Sequence, residues 1–444
     1  MLQELKSLLN ANDRDALEEY IARIQPYDLA EMFMQLDLKD QVRLFADLPI
    51  SLSAEIMEYM EPDAQYRILN RSSADAASSL LNEMSSDSVV DLLLAIHPHQ
   101  AEKMMGSLPP DYREKISTLM NFAPDSAGSL ATVDYISARN AWTVDQTLQH
   151  VRKVGREAEI VSYIYVLDTY GKLIGIISLK DLILAQPETL LEAIMKEDIV
   201  TVPAEMDQQE VASILSKYDL YAIPVITQDH RMIGIVTVDD LIDVIHEEAT
   251  EDIQKLGGSQ PLEEPYFKNS IWSLFRKRIG WLLILFVAEA YTGNVLRHYE
   301  ETLNEVVALS FFIPLLIGTG GNSGTQIVTT LVRALGMGEV KFKDIFKVIR
   351  KEIFTGFFLG LCMGTVAFFR AQFLGVGFDI GTVVAITAIF IVIWSSLVAA
   401  VLPLVLNQFK VDPAVVSGPF ITTLVDGTGL VIYFSMARMI LHVG

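Results

Sequence analysis

Cysteine is nearly absent from this 444-residue chain: the single one, Cys362, lies inside an apolar run. No disulfide framework is possible, and a reducing compartment suits any soluble part. Charge is also scarce, with 20% charged against 51% hydrophobic residues and a mean hydropathy of +0.34, which argues against an ordinary soluble globule. The opening MLQELKSLLN has no long apolar stretch of the kind a secretory leader carries, so the soluble part is expected in the cytoplasm. The soluble part also lacks a Ser/His/Asp arrangement, a phosphate-binding loop and a Cys/His metal cluster. The chain is therefore not expected to be an enzyme.

What is present is unevenly distributed. The net charge is −22, but the residues from Asn269 onward hold 10 acidic against 13 basic side chains, leaving 46 against 21 in the first 268. An acidic soluble part thus precedes an apolar, charge-poor one. Phosphate would be repelled by the first part, which excludes nucleic acid as a partner and favours a cation. The length exceeds one domain of about 100–200 residues.

Residues 36–111 repeat with a period of 12, marked by Lys39, Ser51, Asp63, Asp75, Asp87, His99 and Asp111. Apolar residues precede most markers by three positions, as at Leu36, Leu48 and Met60, and apolar pairs such as Leu44-Phe45 and Leu92-Leu93 follow them. The unit reads as a short helix with a Ser/Asp-type cap near its start. Such helices bury their stripe only by stacking, so residues 1–131 are expected to form an all-α superhelix.

A second repeat follows, in which Tyr165–Ile183 resembles Pro224–Ile242 with an offset of 59. Each copy reads as strand, turn, strand and a helix starting at Asp. The shared pattern G-I-[IV]-[ST]-x-x-D-L-I resembles a tandem pair of CBS domains, here 132–245 with copies at about 132–193 and 194–245. By that resemblance, Ser178 with Asp181 and Thr237 with Asp240 are candidate contacts for ATP or another adenine nucleotide; the alternative is that they are turn and cap residues. Residues 241–257 form an amphipathic, acidic helix that runs into a connecting segment, 246–268.

From 269 to 444, five stretches satisfy the roughly 20 apolar residues a spanning helix needs: about 278–297, 305–332, 353–375, 381–407 and 413–441. Arg276, Lys277 and Arg278, the cluster from Arg333 to Lys351, and Lys410 place the N-terminus inside and the C-terminus outside. The second span carries an unusual density of Gly and polar residues around Gly320, Gly321 and Asn322, tolerated where backbone lines a cavity or packs closely. In the fifth, Asp426 lies near the middle with Thr422, Thr423 and Thr428 within a turn. A carboxylate at that depth costs about 2.5–3.5 kcal/mol on insertion scales. With no Lys or Arg at the same depth, a transported cation is its most economical partner; hydrogen bonding to the threonines is the alternative. Glu289 in the first span sits nearer the outer end, where it serves the pathway or reaches out to water.

These residues together resemble the MgtE family of magnesium transporters or channels. The likeness runs through the whole chain, and rests most on P-L-L-I-G-T-G-G-N-S-G-T-Q (Pro314–Gln326), D-P-A-V-V-S-G-P-F-I-T-T-L-V-D (Asp412–Asp426) and E-E-A-T-E-D-I (Glu247–Ile253). It implies a multidomain membrane protein: helical N domain, CBS pair, connecting "plug" helix and five-helix membrane domain, assembled as a homodimer in the cell membrane. It further implies that Asp426 binds hydrated Mg2+, with Gly320, Gly321, Asn322, Thr422 and Thr423 lining the path. Mg2+ surrenders water reluctantly, so a carboxylate beside hydroxyls and carbonyls suits it. The family also senses cytosolic Mg2+, and the best-matched sensor residues are Asp240, Asp243, Glu248, Glu251, Asp252, Asp207, Glu210, Asp87 and Asp91. Glutamines at 208 and 209 depart from an acidic pattern that relatives can carry. Two other readings stay open: an ion-coupled divalent-cation exchanger, and a membrane sensor that transports nothing.

Overall fold

The computed structural model describes residues 2–11, 14–156, 158–262 and 266–443; positions 263–265 of the connecting segment lie outside the described residues. The chain divides into two compact units, Met1–Ile245 and His246–Gly444.

In the first unit the 12-residue repeat becomes geometry. Helices start at Leu38, Ile50, Pro62, Ala74, Ser86, Pro98 and Pro110, one every 12 residues. The apolar residues that define the repeat, among them Leu36, Leu48, Met60, Leu44, Ile56, Ile68 and Leu80, are buried in one continuous core. The repeat markers are not the caps: Asp63, Asp75, Asp87 and Asp111 occupy the second position of their helices, and Ser73 makes a capping bond by accepting from the Ala76 N–H. An acid in the first turn is favoured by the helix dipole, which gives the same Asp signature without a cap bond.

Two three-stranded sheets follow, β1 (Tyr135–Arg139), β2 (Ile160–Leu167) and β3 (Leu173–Ser178), then β4 (Val202–Pro203), β5 (Ala222–Ile226) and β6 (Met232–Thr237), in the orders β1-β2-β3 and β4-β5-β6. In each sheet the first pair is parallel and the second antiparallel. The chain ahead of each copy pairs with the other copy's last strand: Thr132 bridges Ile235 on β6, and Lys196 bridges Ile176 on β3. That exchange explains the repeated glycine. A Cβ on Gly234 would lie 2.4 Å from the Thr132 carbonyl oxygen, and one on Gly175 2.4 Å from Met195 Sδ. The helices after β3 and β6 begin at Leu179 and Val238, two residues before the Asp expected to open them. The segment 126–132, expected to close the helical domain, is tied instead to the second CBS copy, through Ala127 N–H to the Met206 carbonyl and Gly128 N–H to that of Ala204.

The second unit begins with the end of the connecting helix Val238–Leu256. Five helical stretches long and apolar enough to cross a membrane follow: Ile271–His298, Val307–Gly336, Phe342–Phe373, Phe378–Gln408 and Gly418–Leu441. The first and third start several residues earlier than the apolar runs suggest, because the charged stretches Arg276–Arg278 and Lys347–Lys351 are already helical. The fifth starts at Gly418, capped by Ser417 and preceded by a short 3-10 turn, Pro413–Val415. Between the third and fourth, every fourth residue is a glycine: an added Cβ would meet Ser396 Oγ at 2.4 Å from Gly356, the Ile389 Cα at 2.9 Å from Gly360, and the Ala385 carbonyl oxygen at 2.6 Å from Gly364. Small residues at this spacing let membrane helices touch backbone to backbone. Gly360→Ala is therefore expected to cost about 1–3 kcal/mol, read as a lower unfolding temperature of detergent-solubilised protein, whereas Ala at Gly280, which has nothing within 4 Å of its Cβ position, should leave it unchanged.

Candidate functional site

The membrane candidates converge on the contact among the second, fourth and fifth helices. Gly320 lets the second helix approach both others, since a Cβ there would fall 2.6 Å from Ile391 and 2.8 Å from Val425. Gly321 faces Thr422, whose Cγ2 would lie 2.8 Å from its Cβ, and Gly324 is held as tightly by Ile421 and Ser395. Ser395 donates to the Gly320 carbonyl at 2.7 Å. Gly320, Gly321, Thr422 and Asp426 thus belong to one packed region, while Asn322 is exposed and Thr423 half-buried.

Asp426 is 9% exposed, and its Oδ1 is buried without a hydrogen-bond partner. The neighbouring threonines do not satisfy it: Thr422 donates to the Gly418 carbonyl at 3.0 Å, and Thr428 to that of Leu424 at 2.8 Å while accepting from Trp394. The hydroxyls thus bond back along their own helix, as Ser and Thr do inside helices. An unsatisfied buried carboxylate oxygen is costly, so the alternative of an Asp held by its own threonines is disfavoured.

A second acidic group lies where the end of the connecting helix meets the turn before the fifth helix. Lys255 on the connecting helix bonds Asp412 at 2.6 Å and also pairs with Glu251. Asp252 is pushed above the usual carboxylate range, by burial first and then by Asp412 and Glu248. Asp412 also accepts from the Ala414 N–H at 2.8 Å. In the sequence it stands only as the first residue of the motif Asp412–Asp426, 157 positions from Lys255. Lys255 thereby links Glu251 to Asp412, and Asp252 feels both Asp412 and Glu248.

In the first unit, the helix Ser86–Ala95 and the start of the connecting helix form an acidic seam. Asp87 is pushed well above its normal range, first by burial, then by Asp240 and Glu159, with Asp91 adding to it. Its Oδ1 is buried without a partner. Glu159 is raised to about 7, by burial and then by Glu58, Asp240, Asp239 and Asp134. Asp240 is raised to about 6 by burial, against the opposing hydrogen bond from Thr237, with Asp239 and Asp243 raising it further. Glu58 is raised by burial even though it accepts from the Ser85 N–H at 2.6 Å, and Asp134 accepts from that of Ser86 at 3.0 Å. The seam thus brings together Asp87, Asp91, Asp240 and Asp243 and adds Glu58, Asp134, Glu159 and Asp239. Asp239 directly precedes Asp240, while Glu58, Asp134 and Glu159 come from three other, distant segments that no local pattern links to it. Among the described residues no three acidic, His or Cys side chains are already drawn into a metal-holding group.

Asp207 and Glu210 have a different setting. Both are exposed at the start of the helix Gln208–Tyr218, where Asp207 is the N-cap and accepts from the Gln209 N–H at 2.9 Å. The nucleotide candidates are caps as well. Ser178 donates to Asp181 at 2.7 Å and accepts from its N–H at 3.0 Å, and Thr237 donates to Asp240 at 2.5 Å. The two pairs diverge in surroundings: Asp240 is part of the acidic seam, where a phosphate would be repelled.

Comparison with known proteins follows the same division. Residues 24–125 match the family described as MgtE intracellular N domain, 127–188 and 191–247 match CBS domain, and 313–436 match MgtE, divalent cation transporter. The magnesium transporter MgtE of Thermus thermophilus is 37% identical over 441 residues, covering 99% of this chain and 98% of the relative. The chain belongs to the MgtE family. The Bacillus subtilis magnesium transporter MgtE is 32% identical over 95% of this chain and 93% of its own. The crystal structure of the cytosolic domain of the Mg2+ channel MgtE in complex with ATP is 33% identical, with a TM-score of 0.52 over 55% of this chain and all of that one. A second structure, the soluble part of a magnesium transporter, is 30% identical with a TM-score of 0.53 over 56% and 98%. MgtE relatives are transporters, in agreement with the expectation that the chain is not an enzyme.

The seam has a pH dependence of definite sign. Ordinary carboxylates lose their proton near pH 4, whereas Glu159 and Asp240 hold theirs to about 7 and about 6. The folded state therefore binds protons the unfolded state has released, and stability falls as pH rises through that window. Without divalent cations, the unfolding temperature of the full chain should rise as pH is lowered from about 8 to about 5. Asp87→Asn should raise it by a few degrees at the upper pH, corresponding to roughly 1 kcal/mol, and by little at the lower one; a variant less stable at both would contradict the account.

Proposed function

We propose that this MgtE-family chain is a Mg2+ channel that mediates magnesium uptake, closed by cytosolic Mg2+ at its acidic interfaces. The observation that carries the pore is Asp426, a buried carboxylate oxygen with no protein partner in a helix contact narrowed by Gly320, Gly321 and Gly324. The transported ion supplies the missing positive charge. Asn322, Thr422 and Thr423 offer oxygens to its water shell, a mode that suits an ion reluctant to dehydrate.

Closure rests on repulsion. Asp87, Asp240 and Asp243 crowd together at the seam with Asp91 near them, and Asp252 lies beside Asp412 with Glu248 adding its charge, while Lys255 pairs with Glu251 and Asp412. A divalent cation that bridges them stabilises the arrangement in which they are close, and so shifts the population toward it. Asp207 and Glu210 take part only if their helix moves from its present capping geometry. ATP or another adenine nucleotide fits the CBS pair at Ser178 and Asp181, which lie outside the seam, better than at Thr237 and Asp240. Support comes from the ATP complex of the related cytosolic domain. The protein works as a homodimer in the cell membrane, with its helical and CBS domains cytoplasmic and its C-terminus outside.

The test is Mg2+ flux into proteoliposomes under a pure Mg2+ gradient. Wild type should conduct, Asp426→Asn should lose at least about 90% of the flux, as expected when a buried charge's partner is removed, and millimolar Mg2+ on the cytoplasmic face should suppress what wild type carries. Undiminished flux in Asp426→Asn would remove the pore assignment.

A further inference from the structure

The first and fifth membrane helices run side by side in a constant register. Trp281 donates to Ser417 Oγ at 3.0 Å, a Cβ on Gly427 would fall 2.3 Å from Tyr291 Cδ1, and Tyr299 Oη lies 3.5 Å from Ser435 Oγ. Arg438 donates to Thr302, just beyond the first helix, at 3.0 Å. Each pair is separated by 136 residues, so the helices are parallel and matched residue for residue over more than four turns. Asp426 is then level with position 290, and Glu289 is within one residue of it, about 1.5 Å along the axis. Position alone in the first span suggested that Glu289 lies nearer the outer surface than Asp426; the register brings the two acids to one depth.

Glu289 also occupies the right face. With Leu285 and Thr292 it completes a spacing of four and three residues, the stripe of one helix side, and both neighbours on that stripe are buried. Glu289 itself is exposed, flanked by the small Ala288 and Ala290. Thr292 is 7% exposed, its Oγ1 is buried without a hydrogen-bond partner, and it lies 3.3 Å from the Cβ position of Gly427. Two unsatisfied buried oxygens, Asp426 Oδ1 and Thr292 Oγ1, therefore sit on adjoining helices at the level of a second carboxylate.

We propose that Glu289 is a second acid of the ion pathway, forming with Thr292 and Asp426 a station of two carboxylates and a hydroxyl for a hydrated divalent cation. The inference rests on the reading of Asp426 as the pore acid. Two negative charges at one depth cost the membrane domain free energy, which a doubly charged ion offsets better than a singly charged one. Glu289 acts by concentrating divalent cations at the station, so its removal weakens occupancy more than it lowers the maximal rate.

The experiment is Mg2+ flux in proteoliposomes as a function of external MgCl2 for wild type, Glu289→Gln, Glu289→Asp and Asp426→Asn. Glu289→Gln should raise the half-saturating Mg2+ concentration about tenfold, the lower end of what focused charge achieves. The shift should shrink in high salt, which screens it, and Glu289→Asp should recover most of the loss; a purely structural role would show neither. An unchanged saturation curve for Glu289→Gln beside a silent Asp426→Asn would overturn the proposal and leave the pore reading standing. If Glu289→Gln does not yield folded protein, a saturation curve for Glu289→Asp that responds to salt no differently from wild type overturns it. Flux retained in Asp426→Asn would bring down the underlying reading instead.

Discussion

Carboxylates withdrawn from water without a full set of countercharges are the constraint on which the structure depends. Asp426 Oδ1 and Asp87 Oδ1 are both buried and unpartnered, in two units that have nothing else in common. A fold does not carry such groups without cost. In the function proposed here, the same physical deficit, relieved by the same kind of ion, gives the protein its cargo in one place and its means of regulation in another. Strength of binding at each is tuned by geometry: a narrow helix contact around Asp426, and a loose seam of singly placed acids around Asp87 and Asp240.

The membrane unit is shaped by what is missing from its helices. Gly320, Gly321 and Gly324 bring the second helix against the fourth and fifth, Gly356, Gly360 and Gly364 bring the third against the fourth, and Gly427 brings the first against the fifth. Without a hydrophobic driving force between helices in lipid, close backbone contact is what holds them. It also sets the polar residues at fixed heights, and the 136-residue register that aligns Asp426 with Glu289 follows from that packing.

Much of this was legible in the sequence. The 12-residue spacing of apolar pairs foretold seven helix starts, and the 59-residue offset between Gly175 and Gly234 foretold two matching sheets. The Gly- and Thr-rich motifs around Gly320 and Asp426 coincide with the close contact of the second helix with the fourth and fifth. What escaped did so because it is not local. Glu58, Asp134 and Glu159 join the seam from segments tens of residues apart. The exchange of Thr132 and Lys196 between CBS copies is a matter of tertiary pairing, and Asp412 finds Lys255 across 157 residues. Caps were misplaced by one or two positions because an acid in the first turn and a capping acid leave nearly the same trace. The nucleotide pairs look alike in sequence, and only their surroundings distinguish Ser178 with Asp181 from Thr237 with Asp240.

The central claim is that divalent cations relieve the repulsion in the acidic seam. Hydrogen exchange of the full chain in detergent, at pH 7.5 with millimolar MgCl2 or with KCl of matched ionic strength, tests it most directly, the pH being set above the values of about 6 and about 7 at Asp240 and Glu159. The account predicts that Mg2+ slows exchange in the helix Ser86–Ala95 and at the start of Val238–Leu256, beyond any effect of KCl. Equal exchange in the two salts at both segments would contradict it.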